Sequence, residues 1–231
     1  MNIISIHIPK TAGTFLSKVL SSINNDIVFF DYGENNPNTL LIFNNKRISL
    51  PYDSLIQFFY AKINDGSSFI IHGHFPACKY DNINNDYVII TWVRHPIKRL
   101  FSLYNYWNSI VPFNLIDQYV YFKENIKTFH EFAVNPMYTD YLTKYFDGKC
   151  SSQFDFIGIY EELQFSFEVL SRLLNINFKI NLNDKVNKTN GSSLMLDEIN
   201  NYTAIYRANL KDITLYFECN KKLLSNDNIC S

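Results

Sequence analysis

The residues best suited to chemistry form three small groups, each directly after an apolar run. The first is the turn Pro9, Lys10, Thr11, Ala12, Gly13, Thr14 and Phe15, which follows the β-branched stretch 3–8 and precedes a segment with Phe15, Val19 and Leu20 on one side. Strand, turn and helix in that order point backbone N–H groups and the positive end of a helix dipole at one spot, which is an anion site. Gly13 allows close backbone approach, Thr11 and Thr14 offer hydroxyls, and Lys10 adds a point charge. The lysine precedes the glycine, so the turn is not a Walker loop. The second group is His72 and His74, beyond the run 68–71. Residues two apart in extended chain share a face, so both imidazoles are expected at the carboxyl end of a strand, where open α/β sheets bind ligands. They suit a general base, a surface loop or one edge of a metal site; no further ligand lies nearby in sequence, which disfavours the metal. The third is Arg94, which ends the nearly continuous apolar run 87–93, with Ser102 eight residues on. A strand-end arginine serves either an ordinary salt bridge or a phosphate, which it clamps with two donors.

These groups need elements to hold them. The run 87–93 reads as a central, buried parallel strand. Pro96 suits a first helical position, and Leu100, Leu103, Tyr104 and Trp107 form a core stripe with Ser102 off it. Lys98 and Arg99 are expected as exposed helix charges, and His95 as a packed or surface histidine. Residues 27–30 read as a strand, 40–43 and 47–50 as a hairpin, and a helix starting at Pro51 and Asp53 carries Leu55, Ile56, Phe59 and Ile63. Thr128 with Glu131 three residues on has the pattern of a capping box, and residues 137–146 read as a further helix. The tyrosines of this region (119, 121, 138, 141 and 145) read mainly as core, with sugar stacking as the alternative. No role is assigned to His130. The run 154–160 reads as the last strand, followed by Glu161, Glu162 and a helix through Leu174. Two amphipathic helices, 194–207 and 209–224, finish the chain. Alternating strands and helices predict a three-layer α/β fold with a central, largely parallel sheet, formed by all 231 residues as a single domain.

PKTAGT after an N-terminal strand, with VIITWVRHPIKRLFS further on, resembles the sulfotransferases that use 3′-phosphoadenosine 5′-phosphosulfate (PAPS). The likeness is greatest to the Golgi-type carbohydrate enzymes, the heparan sulfate 2-O-sulfotransferases and their bacterial relatives. FDFIGIY and the DITLY of residues 212–216 add supporting pattern, so the likeness spans about 3–224. It implies the P-loop-like sulfotransferase fold. It also implies a 5′-phosphosulfate on Pro9, Lys10, Thr11, Ala12, Gly13, Thr14 and Phe15, and a 3′-phosphate on Arg94 and Ser102. Lys188 follows as a further contact from a closing loop. The histidine base implied is His74 or His72, with His74 favoured, and Lys10 would stabilise charge on the leaving oxygen. Glu161 would orient Lys10 or an acceptor hydroxyl. The implied cosubstrate is PAPS without a metal, and the implied partner a carbohydrate acceptor (polysaccharide or glycolipid).

Composition narrows the rest. A net charge of −1 argues against a broad nucleic-acid surface. The four cysteines, Cys78, Cys150, Cys219 and Cys230, form no C-x-x-C pair, so zinc and thioredoxin-like readings are poor and reduced thiols are simplest. No signal peptide or apolar anchor is evident, which suggests a cytoplasmic, bacterial enzyme. Two other classes stay open: a P-loop nucleotide kinase, which predicts an aspartate where Arg94 stands, and a degenerate nucleotide- or glycan-binding module.

Overall fold

In the computed structural model, residues 1–109, 117–176 and 202–229 are described, apart from the side chains of Thr14 and of 226–229. Seven strands form one sheet: β1 (Ile3–Ile6), β2 (Ile27–Asp31), β3 (Leu40–Phe43), β4 (Lys46–Ile48), β5 (Phe69–Gly73), β6 (Val88–Val93) and β7 (Phe156–Ile159). Their order is β4-β3-β2-β5-β1-β6-β7. β2, β5, β1, β6 and β7 run parallel, and the β3–β4 hairpin is added antiparallel at one edge. β1 therefore sits between β5 and β6; the turn 9–15, His74 and Arg94 follow these three strands, while His72 lies inside β5, which runs on to Gly73 instead of ending at residue 71. Every residue of β1, β5 and β7 is buried, as a strand covered on both faces requires.

The helices are α1 (Gly13–Ser21), α2 (Tyr52–Asn64), α3 (Pro96–Ser109), α4 (Asp117–Asn125), α5 (Phe129–Val134), α6 (Tyr141–Phe146), α7 (Leu163–Leu174), α8 (Tyr202–Ala208) and α9 (Leu210–Ile229). The main core lies on the sheet, with Phe29, Phe59, Phe69, Trp92, Phe156 and Phe167 among its largest side chains. A second apolar cluster joins Leu100, Leu103 and Trp107 of α3 to Phe122, Phe132, Tyr138 and Ile205. Thr128 and Glu131 form the expected capping box at α5.

Some boundaries differ from the sequence reading. β1 stops at Ile6, because the chain leaves the sheet for the turn while His7 N–H still bonds to Gly73 O at 2.8 Å. The helix expected over 137–146 starts only at Tyr141. Asp140, just before it, is left-handed and caps nothing; Asp212 of α9 instead accepts from Leu142 N, Thr143 N and Thr143 Oγ1 at 2.8–2.9 Å. Arg99 is not an exposed helix charge. It is 2 % exposed, donates to Tyr138 O at 3.3 Å and lies over the Tyr141 ring, since its position shares the buried face with Pro96, Leu100 and Leu103. Of the tyrosines, 119 and 138 are core and Tyr121 is exposed. Residues 177–201, with Lys188 and most of the helix expected over 194–207, lie outside the described residues, as does Cys230.

Candidate active site

The turn after β1 is tightly built. Lys10 and Ala12 both take positive φ, 72° and 75°, and Thr11 Oγ1 donates to Ile8 O at 2.6 Å. That bond uses the Thr11 hydroxyl inside the turn and buries it, so its side chain is a structural tie rather than an outward donor. Phe15 packs edge-on against Phe167 with ring centroids 5.0 Å apart. Ala12 precedes α1 as its N-cap and makes no side-chain cap bond, and no acid lies in the first turn. A helix N-terminus whose N-cap residue has no polar side chain leaves backbone donors for an anion.

Two cations stand at this turn. Arg94, one residue past β6, donates from Nη1 to Lys10 O at 3.3 Å and stacks its guanidinium over Tyr160 at 4.2 Å. Lys10 Nζ lies over the Tyr106 ring at 4.1 Å. Burial, and then the Arg94 charge, hold the Lys10 ammonium below its usual pKa; burial likewise lowers Arg94, opposed by the nearby Tyr160 and Glu161. Among the described residues no carboxylate forms a salt bridge with either. Two partly desolvated like charges with no salt-bridge partner among the described residues favour an incoming anion, though the nearby Glu161 carboxylate offsets part of the Arg94 charge. Ser102 lies partly buried on α3. Glu161 does not contact Lys10. It accepts the His95 N–H at 3.3 Å from both carboxylate oxygens and the Tyr216 hydroxyl at 3.1 Å, and so supports the start of α3.

Histidines line the other side. Ser5 pairs with His72 and Ile6 with Gly73 in register, so the next residues, His7 and His74, emerge side by side. His74 Nε2 lies 3.1 Å from His7 Nδ1. His72 is fully buried, with Nδ1 2.9 Å from Ser5 Oγ, and stacks under His7 at 5.1 Å. Of the two expected histidines, His74 is therefore the one with access to solvent. Burial pushes His72 down to about 3 and His74 down to about 4, and drives His7 well below its usual range with help from its two neighbours and Lys10. All three imidazoles are neutral at pH 7. Among the described residues no group of three or more His, Cys, Asp or Glu is arranged to hold a metal ion.

His7 escaped the sequence reading because it sits inside an apolar run. The available signal was its parity: it shares a strand face with Ser5, as His74 does with His72. Asp31 was missed as well. Fully buried at the end of β2, it pairs with Lys79 and accepts from Tyr80 and Tyr52 hydroxyls at 2.8 and 2.9 Å, while its carbonyl accepts the His74 N–H at 3.0 Å.

Gly13 also has a sharper role than backbone approach alone. A Cβ there would lie 1.7 Å from His7 Nε2. Gly13→Ala is thus expected to push the ring off His74 and to destabilise the protein by about 1–3 kcal/mol. Urea unfolding checks this. The cost should largely vanish when His7→Ala is added, and an unrelieved cost in the double variant would show that the ring is not the obstacle.

Comparison with known proteins decides the family: the model described as "Sulfotransferase family" matches residues 1–216. The chain belongs to the sulfotransferase family. Among solved structures, the chain is similar to mouse sulfotransferase SULT7A1 complexed with PAP, at 16% identity and TM-score 0.45, over 77% of this chain and 59% of the mouse chain. It is also similar to a sulfotransferase from Alicyclobacillus acidocaldarius, at 15% identity and TM-score 0.37, over 78% of this chain and 83% of that one. No curated relative matches it. Among the described residues, no helix is long and apolar enough to cross a membrane.

Proposed function

We propose that this protein transfers the sulfuryl group of PAPS to a hydroxyl of a carbohydrate acceptor. The observation that carries the reading is the pairing of Lys10 and Arg94, neither in a salt bridge among the described residues, at a helix N-terminus whose N-cap Ala12 offers no side-chain bond, beside the His7–His74 pair. Family membership supports the same reaction class. In this reading the turn 9–15 receives the 5′-phosphosulfate through backbone N–H groups and Lys10, while Arg94 and Ser102 hold the 3′-phosphate. His74 takes the acceptor proton as the hydroxyl attacks sulfur in line, and Lys10 stabilises the charge growing on the bridging oxygen. Sulfate reaches the site already activated, so positioning and charge stabilisation suffice. The preference for a sugar over other hydroxyls rests on the resemblance of the sequence to carbohydrate enzymes.

Calorimetric titration with adenosine 3′,5′-bisphosphate, AMP and ATP tests the cosubstrate. The bisphosphate is expected to bind best, and Arg94→Ala to weaken it by about ten- to a hundredfold, the value of one charged phosphate contact. Tighter, magnesium-dependent binding of ATP would instead favour a kinase.

A further inference from the structure

His7 and His74 form a contact that the proposed reaction does not by itself require. The two rings lie 4.5 Å apart, bridged by the 3.1 Å approach of His74 Nε2 to His7 Nδ1. One proton occupies that bridge, and either ring can own it. The far edge of His7, Nε2 and Cε1, fills the space beside Gly13 at the head of α1. His7 therefore touches the base with one nitrogen and the anion turn with the other.

We infer that His7 is a positioning residue through which the bound cosubstrate selects the basic nitrogen of His74. The inference rests on the proposed sulfuryl transfer. A neutral imidazole carries one N–H. Beside an anion on the turn, Nε2 of His7 must hold it, because a lone pair there is repelled. Nδ1 of His7 is then an acceptor, so the bridging proton belongs to His74 Nε2. That leaves the lone pair of His74 on Nδ1, ready for the acceptor proton. With the opposite arrangement His7 donates through Nδ1, His74 carries its proton on Nδ1, and that atom cannot act as a base. The anion thus arms the base before any acceptor reacts.

The atoms balance in the step that follows. The acceptor oxygen forms the new O–S bond as the S–O bond to the nucleotide breaks, and the leaving phosphate keeps that electron pair. The acceptor proton moves to His74 Nδ1. The imidazolium so formed donates through Nε2 to His7 Nδ1, and its extra proton returns to water once the products leave.

The test is nitrogen-15 NMR of the histidine rings of the full chain, titrated with adenosine 3′,5′-bisphosphate while calorimetry follows binding. His74 is expected to settle as the Nε2–H tautomer on binding. His7→Phe should abolish that preference and lower kcat about tenfold or more, with KM for PAPS within about threefold. His7→Asn places an amide oxygen near the position of Nδ1, so it should keep the His74 tautomer and restore most of kcat. That rescue separates tautomer control from packing. If the bisphosphate binds and His74 stays protonated on Nδ1, or if His7→Phe turns over at the wild-type rate, the inference is wrong while the cosubstrate site stands. If the wild-type protein neither binds the bisphosphate nor consumes PAPS, sulfuryl transfer itself fails and the inference falls with it.

Discussion

His74→Ala is expected to lower kcat about 10²- to 10⁴-fold, the usual contribution of a positioned general base, while bisphosphate affinity stays within about twofold. The split follows from where the groups sit. Lys10 and Arg94 are joined to each other through the Lys10 carbonyl, and both flank the turn after β1. His74 is anchored elsewhere, through its N–H on the Asp31 carbonyl and its ring on His7. Removing the imidazole leaves the cation pair in place and reaches the head of α1 only through His7. Single-turnover rates with PAPS, beside calorimetry with the bisphosphate, read the two quantities separately. A parallel loss of both would mean that His74 is part of the nucleotide site. A variant that keeps full kcat would move the base elsewhere, and His7 is the neighbour to replace next.

Acidification is expected to destabilise the protein by several kcal/mol before most of its carboxylates titrate. His7, His72 and His74 have native pKa values far below the roughly 6.5 of an unfolded histidine, with about 3 for His72 and about 4 for His74. Between those limits the unfolded chain binds more protons than the native one, so stability rises with pH there. It is fully present above about pH 6.5 and is lost as pH falls toward the native values. Each such proton contributes a slope of up to about 1.4 kcal/mol per pH unit. Three together remove several kcal/mol by about pH 5, a large part of the 5–15 kcal/mol typical of a folded domain. The Asp31 charge opposes the trend at His74 only. Urea midpoints at pH 7.5, 6 and 5 would measure the slope. His72→Asn, which can still bond to Ser5 but cannot titrate, should flatten it by one proton's worth. A midpoint that does not move over this range would mean that the rings are protonated in the native state or never buried as a group.

What the sequence made legible follows from the range of each interaction. Strands such as 88–93 are announced by apolar runs, and the capping box at Thr128 and Glu131 by two residues three apart. The turn 9–15 and the strand-end position of Arg94 were equally readable, since each depends on immediate neighbours. Lys188 lies outside the described residues. Arg99 was misjudged because side-chain type was weighed above position, although its spacing placed it on the stripe of α3. Asp212 and Glu161 could not have been assigned, because what they accept from lies many tens of residues away. His7 falls between these cases: its face was predictable, but its partner depends on the register of β1 against β5.

The Tyr216–Glu161–His95 relay has a consequence for how the molecule is made. The peptide that begins α3, next to Arg94, is tied by Glu161 to a hydroxyl on α9, and Asp212 of the same helix starts α6. On a ribosome, β1, its turn and β6 emerge first and can pair early. The support behind Arg94 arrives only after α9 has been synthesised and has docked. A nascent chain would therefore carry an anion turn and an arginine before the scaffold that holds them in register is complete. If the turn and Arg94 hold the nucleotide as proposed, competence for it is a late event in biogenesis, governed by a helix outside the turn.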